Sequence, residues 1–232
     1  MSEPNTNEVE RIPRIRLPGT RARIREELLE EIVRGKKVLH VGCTDSPFTR
    51  SRHPAGLLLH ERLRPLCAKI VGIDLDADAI EWLSGQGVPD LHVADATKLE
   101  GFLESIAFQP EVVVAGEVVE HLSNPGNFLE GLRGGIPKTC RLVVTVPSAF
   151  AYFGILQMLL GREKVHADHV SYYSYGTLKT LLERNGFQVE SIHPVYNREA
   201  RRMDRILHAP FHALLRCRPH FATGYAAIAT VR

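Results

Sequence analysis

Short apolar runs alternate regularly with segments of helical periodicity along this sequence. The runs are rich in Val, Ile and Leu, which is typical of parallel strands covered on both faces. Their expected bounds are 38–41, 70–73, 91–93, 112–115 and 142–146, with two further strands near 186–189 and 224–231. Helices are expected from about Thr20 to Gly35 and near 57–69, 77–85, 98–107, 124–133 and 174–185. This order predicts a doubly wound, Rossmann-like α/β fold with a seven-stranded, mostly parallel sheet and helices on both faces.

A length of 232 residues suits one domain. Residues 1–19 contain three prolines and a glycine and are predicted to form a mobile arm before a single domain over 20–232. Within that domain, we expect a lid-like insertion at about 147–175 and a basic insertion at about 194–222. The longest apolar stretch, 149–160, is too short to span a membrane, which takes about 20 residues. With a polar N-terminus and no CxxC pair, the sequence predicts a soluble, cytoplasmic protein without a transmembrane segment.

Acidic residues follow successive strands at the edge where open α/β sheets bind ligands. Asp74, Asp95 and Glu117 each come just after a predicted strand, and Gly42 follows the first one. They lie in or beside the acidic segment 71–130, which carries 12 acidic side chains and 1 basic one. For any one of these acids taken alone, capping of a helix N-terminus explains its position as well as ligand binding does. This applies above all to Asp76.

The charge of this edge favours a cationic nucleoside over a pyrophosphate, which needs a glycine-rich loop and few acids. The dinucleotide fingerprint GxGxxG is not met, because Thr44 and Pro47 stand where its second and third glycines would be. S-adenosylmethionine, a nucleoside with a sulfonium cation, fits the pattern and is the expected cofactor.

Four segments, 38–46, 71–76, 92–96 and 112–125, together resemble the ordered motifs of the class I S-adenosylmethionine-dependent methyltransferases. Segments 134–148 and 169–187 resemble the later strands and helix of the small-molecule branch, so the resemblance spans about 36–190. It implies three groups of cofactor contacts: Gly42, Cys43, Thr44 and Asp45 beneath the methionine part; Asp74 and Leu75 at the ribose; and Asp95 with Ala96 at the adenine. Gly116 and Glu117 would lie beside the sulfonium. The chain departs from the family at His40, where an acid is usual, and at Thr44 and Ser46, where glycines are usual.

The string Glu117–His121 reads ExxEH and contains the candidate catalytic residues, His121 as general base and Glu117 beside it. It resembles the ubiquinone-biosynthesis-type O-methyltransferases, some of which use the string to hold a divalent metal. Bracing of the loop or substrate contact is the alternative role, and we expect no metal.

A second cluster, His166, His169, Tyr172 and Tyr173, is expected to line the acceptor pocket. Its HxDH spacing also suits a metal, and local hydrogen bonding is the simplest alternative.

These observations predict methyl transfer to a hydroxyl group of a small molecule, such as a sugar, quinone-like or polyketide-type intermediate. The alternatives are a nicotinamide-dependent oxidoreductase, a non-catalytic cofactor-binding protein on the same scaffold, and a nucleic-acid methyltransferase. Six arginines and no acid lie between Arg11 and Arg25, but no aromatic residues are interleaved with them, so we expect no nucleic-acid partner. The sequence predicts no oligomeric state. The arginines at 198, 201, 202 and 205 suit either an anionic group or an exposed helix face.

Overall fold

The computed structural model describes residues 15–163, 165–197 and 217–232. Within these ranges, one sheet holds eight strands in the order β1-β7-β8-β6-β5-β2-β3-β4. The strands are β1 (Arg23–Ile24), β2 (Lys37–Val41), β3 (Lys69–Asp74), β4 (Leu91–Val93), β5 (Val112–Gly116), β6 (Arg141–Pro147), β7 (Phe187–Tyr196) and β8 (Gly224–Val231). Of these, β8 alone runs antiparallel to its neighbours.

The helices in these ranges flank the sheet or lie in its connections. They are α1 (Arg25–Val33), α2 (Thr49–Arg52), α3 (Leu59–Leu63), α4 (Ala77–Gly85), α5 (Phe102–Ser105), α6 (Pro125–Gly135), α7 (Tyr152–Leu159) and α8 (Tyr175–Arg184). None of them is long and apolar enough to cross a membrane.

Alternate residues of the central strands are buried on opposite faces of the sheet, which explains their near-continuous apolar sequences. On one face, Leu39, Val71 and Val113 pack in a core cluster with residues of α6 and α8. On the other face, Val38 and Val112 pack with residues of α1 and α3. Helices therefore cover both faces, as predicted.

The crevice for a ligand lies where strand order reverses, between β2 and β5. From β2 the chain adds β3 and β4 on one side, and it then returns to add β5 and β6 on the other. The connections that follow β2 and β5 consequently diverge at the carboxyl edge of the sheet. The segments after Val41 and Gly116 flank this point.

The predicted mixed, mostly parallel architecture is confirmed, whereas the strand number is eight rather than seven. The additional strand, β1, is two residues long and pairs with Val195 and Tyr196 of β7. Two residues are too few to produce a periodic pattern. The first helix begins at Arg25 rather than near Thr20, and the expected helices 57–69 and 98–107 contain the shorter α3 and α5.

Three of the predicted segments fall partly outside the described residues. These are the arm over 1–19, of which 15–19 are described, the lid insertion over 147–175, of which all but residue 164 are described, and the basic insertion over 194–222, of which 194–197 and 217–222 are described. The arginines at 198, 201, 202 and 205 lie outside as well. The predicted lid insertion contains α7, in which Met158 and Leu159 are 70% and 78% exposed.

Candidate functional site

Thr44 anchors the loop after β2 to the end of β3 through two hydrogen bonds to Asp74. Its backbone N–H and its hydroxyl both donate to Oδ2 of Asp74, at 3.0 and 2.7 Å. Thr44 is fully buried, and its carbonyl accepts a hydrogen bond from Thr49 Oγ1 at 2.7 Å. A glycine at position 44 would keep the backbone bond and lose the hydroxyl one. The departure from the family pattern at this position therefore fixes the loop on Asp74.

Position 42 requires glycine for two reasons, its backbone conformation and the lack of room for a Cβ. Its φ is +71°, in the left-handed region, and a Cβ there would stand 2.7 Å from Cγ2 of Val118. Next to it, Cys43 is buried and Asp45 has a φ of +56°. The loop thus runs close under the segment that follows β5, and the first and fourth candidate motifs meet there.

Asp74 has acceptor capacity left for a ligand. Oδ2 accepts the two Thr44 bonds, and Oδ1 accepts the backbone N–H of Asp76 at 3.2 Å. A carboxylate offers about four acceptor positions, so one remains beside the crevice. Asp76 itself is the N-cap of α4 and accepts from Ala79 N at 2.9 Å, which bears out its role as a cap. Leu75, between the two acids, is exposed.

Asp95 follows β4 and holds a short 3-10 turn that contains Ala96. Both of its bonds, from the backbone N–H and the hydroxyl of Thr97, go to Oδ1, at 2.9 and 2.7 Å. These bonds hold the pKa of Asp95 below its usual value. An ionised carboxylate with Oδ2 unused is suited to accept from an exocyclic amino group. Ala96 is buried beneath it.

Glu117 is held in a strained position at the end of β5, directly after Gly116. Its φ is +57° and its N–H donates to the carbonyl of Thr145. Oε1 accepts from Thr145 Oγ1 at 3.1 Å and lies 3.3 Å from Nη1 of Arg25 at the start of α1. Backbone conformations of this kind are retained mainly at functional sites. Sequence reasoning missed Arg25, because nothing in the arginine-rich segment distinguishes it from its neighbours.

Glu120 is fully buried, and neither of its carboxylate oxygens has a hydrogen-bond partner among the described residues. Burial and the neighbouring Glu117 carboxylate raise the pKa of Glu120. Its carbonyl accepts from the backbone N–H groups of Val170 and Ser171, at 2.9 and 3.3 Å. The ExxEH turn and the segment 165–173 are thereby joined.

His121, His166 and His169 converge at this junction. The ring centroids of His121 and His169 are 4.7 Å apart, and those of His166 and His169 are 5.1 Å apart. Burial, followed by the charges that His121 and His166 would carry, lowers the pKa of His169. Tyr172 packs edge-on against His169 at 5.7 Å. The structure thus brings together three of the four residues expected at the acceptor pocket.

The fourth, Tyr173, lies in a different environment. Its side chain belongs to the main core cluster, and its hydroxyl accepts from Ser171 Oγ at 3.1 Å. The strand-like bridge between Tyr173 and Ser148 ties the segment 165–173 to the end of β6. Tyr173 positions the segment and is not grouped with the imidazoles.

His40, where the family usually has an acid, pairs with a second buried histidine. Its Nδ1 lies 3.2 Å from Nδ1 of His60 on α3, and the two rings are stacked within 8°. One Nδ1 donates and the other accepts, so the two rings are different tautomers. Burial lowers the pKa of His40 to about 4 and that of His60 to about 3. The pair is therefore neutral, and it carries no charge beneath the crevice.

Similarity to known proteins identifies the family of this chain. The model of the methyltransferase domain family matches residues 14–192. The chain belongs to this family. A search of curated proteins found no match. The family and the fold make the chain a class I S-adenosylmethionine-dependent methyltransferase, an enzyme with S-adenosylmethionine as its cofactor. The nicotinamide-dependent alternative is replaced by this assignment.

Solved methyltransferase structures share the fold at low sequence identity. An S-adenosylmethionine-dependent methyltransferase from Archaeoglobus fulgidus is 18% identical, with 88% of this chain and 94% of that chain covered and a TM-score of 0.52. Magnesium protoporphyrin IX methyltransferase from Synechocystis PCC 6803, solved with bound S-adenosylhomocysteine, is 14% identical over 89% and 83%, with a TM-score of 0.56. The small RNA methyltransferase HEN1 is 16% identical over 89% of this chain and 24% of its own, with a TM-score of 0.59.

The residues at the crevice fit the cofactor. Gly42 leaves no Cβ in the loop, and Asp74 and Asp95 each keep an acceptor position for hydroxyl or amino donors. Glu117 supplies a carboxylate within the fourth motif, and Nη1 of Arg25 lies 3.3 Å from its Oε1. A sulfonium nucleoside bound here would meet acceptors and carboxylates, which match its donors and its positive charge.

Proposed function

We propose that the chain transfers the methyl group of S-adenosylmethionine to a hydroxyl oxygen of a small-molecule acceptor. The observation that carries this proposal is the convergence of His121, His166 and His169. Glu117 lies close enough to His169 to interact with its charge, and the ring of Phe48, in the loop after β2, packs edge-on against His166 at 6.2 Å. The sulfonium supplies an electrophilic methyl group. What the chain must add is an oxygen acceptor held in line with it and a place for the acceptor's proton.

In this proposal, His121 takes the proton. Its Nδ1 lies 3.2 Å from the carbonyl oxygen of Asp168, which can only accept, so Nδ1 carries the hydrogen. Nε2 of the neutral ring therefore has a lone pair available. As the new O–CH₃ bond forms and the S–CH₃ bond breaks, the hydroxyl proton passes to Nε2. Glu117 contributes its charge beside the sulfonium rather than a proton transfer, because Arg25 and Thr145 already hold its Oε1.

The segment 147–175 is proposed to cover a partly apolar acceptor. It combines the imidazoles and Tyr172 with the exposed side chains of Phe150, Met158 and Leu159. An acceptor with both a ring or chain of carbons and a reactive hydroxyl matches such a wall. This favours a sugar, quinone-like or polyketide-type intermediate as the acceptor. Membership of the small-molecule, ubiquinone-type branch belongs to the same proposal.

The test is methyl transfer from S-adenosylmethionine to a panel of hydroxylated small molecules, followed by mass spectrometry of the products. A product 14 mass units heavier per transferred methyl group, from wild type and not from His121→Gln, supports the proposal. His193→Gln on β7 is the matched control, because that imidazole contacts Ser191 and not the crevice. Transfer at equal rates by wild type and His121→Gln would remove His121 as the base. A product methylated on nitrogen or carbon would rule out a hydroxyl group as the acceptor.

A nucleic-acid acceptor is the second candidate, because the segment 11–25 carries six arginines and no acidic residue. A ribose hydroxyl of RNA would then be the methylated group. Binding through phosphates weakens steeply with salt. Salt-dependent binding of single-stranded RNA, with methylated ribose as product, would replace the small-molecule acceptor.

A further inference from the structure

Phe48 is an exposed aromatic residue at the end of the loop after β2, and the proposed reaction gives it no role. Its residue is 45% exposed, yet its backbone is fixed by hydrogen bonds at the start of α2. Its N–H donates to the carbonyl of Asp45 at 2.9 Å, and its carbonyl accepts from the N–H groups of Ser51 and Arg52 at 3.1 and 2.9 Å. The loop therefore determines where this ring stands.

The ring of Phe48 contacts both the loop after β2 and the segment 165–173. From the loop side, Cζ of Arg52 lies 5.4 Å from the ring centroid, and Nη1 of the same arginine lies 2.8 Å from Oδ2 of Asp45. From the segment, the ring of His166 meets it at 6.2 Å between centroids, with 73° between the planes. Edge-on aromatic pairs are favourable at about this separation. A series of contacts thus runs from Asp45, a proposed cofactor contact, to the acceptor side.

The first half of the segment 165–173 is weakly held. Its second half is anchored, because the N–H groups of Val170 and Ser171 donate to the carbonyl of Glu120. Residues 165–168, by contrast, are all exposed. Stretches with little buried surface open at a lower free energy than the core does. The contact between Phe48 and His166 therefore joins the loop to the part of the segment that opens most easily.

The same residues orient the candidate base. The carbonyl of Asp168 accepts from Nδ1–H of His121 at 3.2 Å, which leaves the lone pair on Nε2. The N–H of Asp168 in turn donates to Nδ1 of His166 at 3.3 Å. The ring that meets Phe48 and the carbonyl that sets the tautomer of His121 are therefore hydrogen-bonded neighbours.

We propose that Phe48 transmits cofactor binding from the loop after β2 to residues 165–168, and that it thereby holds His121 in the tautomer that accepts the acceptor's proton. The second half rests on the proposed function, whereas the first does not. Phe48 is a positioning residue here, because it acts through His166 and Asp168 and not on the reacting atoms. A cofactor that orders the loop favours the docked segment, so the base is oriented when the methyl donor is present.

Amide hydrogen exchange with mass spectrometry measures the first half without turnover. The probe is S-adenosylhomocysteine, added to the full-length protein at a concentration that calorimetry shows to saturate each variant. In wild type, we expect slower exchange in the loop after β2 and also in a peptide that covers 165–168. The second effect is limited to what one aromatic contact contributes, so it should be about 2- to 12-fold.

Variants at position 48 test the route. Phe48→Ala should abolish the slower exchange of 165–168 and keep that of the loop, and Phe48→Leu, which keeps an apolar side chain but no ring, should do the same. Phe48→Tyr should retain both effects. The matched control is Leu57→Ala, which removes an apolar side chain of similar exposure, 46%, and should change neither.

Three results would overturn the transmission. The first is equal slowing of 165–168 in wild type and in Phe48→Ala, which would mean that the cofactor reaches the segment by another route. The second is no slowing of 165–168 in wild type. The third is loss of S-adenosylhomocysteine binding in both Phe48→Ala and Phe48→Leu, which would make Phe48 a cofactor contact.

The tautomer of His121 tests the second half. Nitrogen-15 spectra of the imidazoles distinguish Nδ1–H from Nε2–H, and His121→Gln assigns the resonances. We expect S-adenosylhomocysteine to raise the Nδ1–H fraction of His121 in wild type and in Phe48→Tyr, but not in Phe48→Ala. An equal rise in Phe48→Ala would overturn this half.

The outcomes also separate this inference from the proposed function. Once an acceptor is known, Phe48→Ala should lower kcat while the Kd of S-adenosylhomocysteine stays within about 3-fold of wild type, and Phe48→Tyr should restore kcat. Methyl transfer to a hydroxyl with an unchanged kcat in Phe48→Ala would overturn the positioning role and leave the proposed function standing. Equal transfer rates in wild type and His121→Gln would overturn the second half and leave the transmission to 165–168 standing.

Discussion

At the scale of single residues, the Asp74 carboxylate is the link between the loop after β2 and the crevice. It accepts both Thr44 bonds and keeps one acceptor position for a ligand. Asp74→Ala should weaken binding of S-adenosylhomocysteine by about 1–2 kcal/mol, the scale of a hydrogen bond to a charged group. That is about 5- to 30-fold in Kd, measurable by calorimetry.

The control for this substitution is Asp78→Ala, which removes an exposed acid of the same charge from the first turn of α4. If both variants lost the same affinity, the effect would be one of net charge and not of a specific contact. An unchanged Kd in Asp74→Ala would show that the ribose lies elsewhere.

The buried His40–His60 pair links stability to pH. Both imidazoles have lowered pKa values in the folded chain, about 4 and about 3, against an ordinary value of 6.5. Between pH 6.5 and about 4, the unfolded chain binds protons that the folded chain does not, so the pair makes the free energy of unfolding fall as pH falls. Each imidazole contributes about 1.4 kcal/mol per pH unit in that window. His60→Gln should therefore reduce the pH slope of stability by about that amount.

Urea unfolding at several values between pH 6.5 and pH 4 measures the slope for wild type and variant. The decisive quantity is the difference between the two slopes, because other groups titrate equally in both proteins. Equal slopes would mean that His60 is protonated in the folded chain. Sequence reasoning identified His40 as unusual but not its partner, because the contact joins residues 20 positions apart through the packing of α3 on the sheet.

At the scale of elements, α8 begins directly after the segment that contains His166 and His169. Its N-terminus has a capping box: Ser174 Oγ accepts from Thr177 N at 3.1 Å, and Thr177 Oγ1 accepts from Ser174 N at 2.8 Å. Leu178 and Leu182 anchor the helix in the core. Ser174→Ala should lower the free energy of unfolding by about 1 kcal/mol, the usual cost of a lost cap.

Chemical denaturation compares this variant with Ser105→Ala, which removes an exposed hydroxyl that donates to Phe102 O near the end of α5. The Ser105 substitution should cost less than about 0.5 kcal/mol. A loss in Ser174→Ala no larger than that would show that core packing alone fixes the start of α8.

Elements with a strong local signal could be predicted, and those made by tertiary contact could not. The strands β2, β3, β5 and β6 are buried on both faces, so their sequences are continuously apolar and their bounds follow within one or two residues. By contrast, β1 exists because Arg23 and Ile24 meet the end of β7. The same difference applies to the site: the acids after each strand were predicted, whereas the Arg25–Glu117 contact depends on how α1 packs.

At the scale of the whole molecule, a ligand that binds the folded chain alone should stabilise all of it. S-adenosylhomocysteine at 100 times its Kd should add about 2.7 kcal/mol to the free energy of unfolding. In a chain of 232 residues, each kcal/mol raises Tm by about 2–4 °C, so a rise of about 5–11 °C is expected.

NADH is the comparison ligand in this measurement. The carboxyl edge of the sheet carries Asp74, Asp95 and Glu117, and the loop after β2 has Thr44 and Pro47 where a pyrophosphate loop would have glycines. A pyrophosphate there would face like charges without the backbone donors that offset them. NADH should therefore leave Tm unchanged, and Asp74→Ala should require more S-adenosylhomocysteine for the same rise. An equal rise with NADH would mean that the acids face away from the ligand and that the crevice recognises adenosine alone.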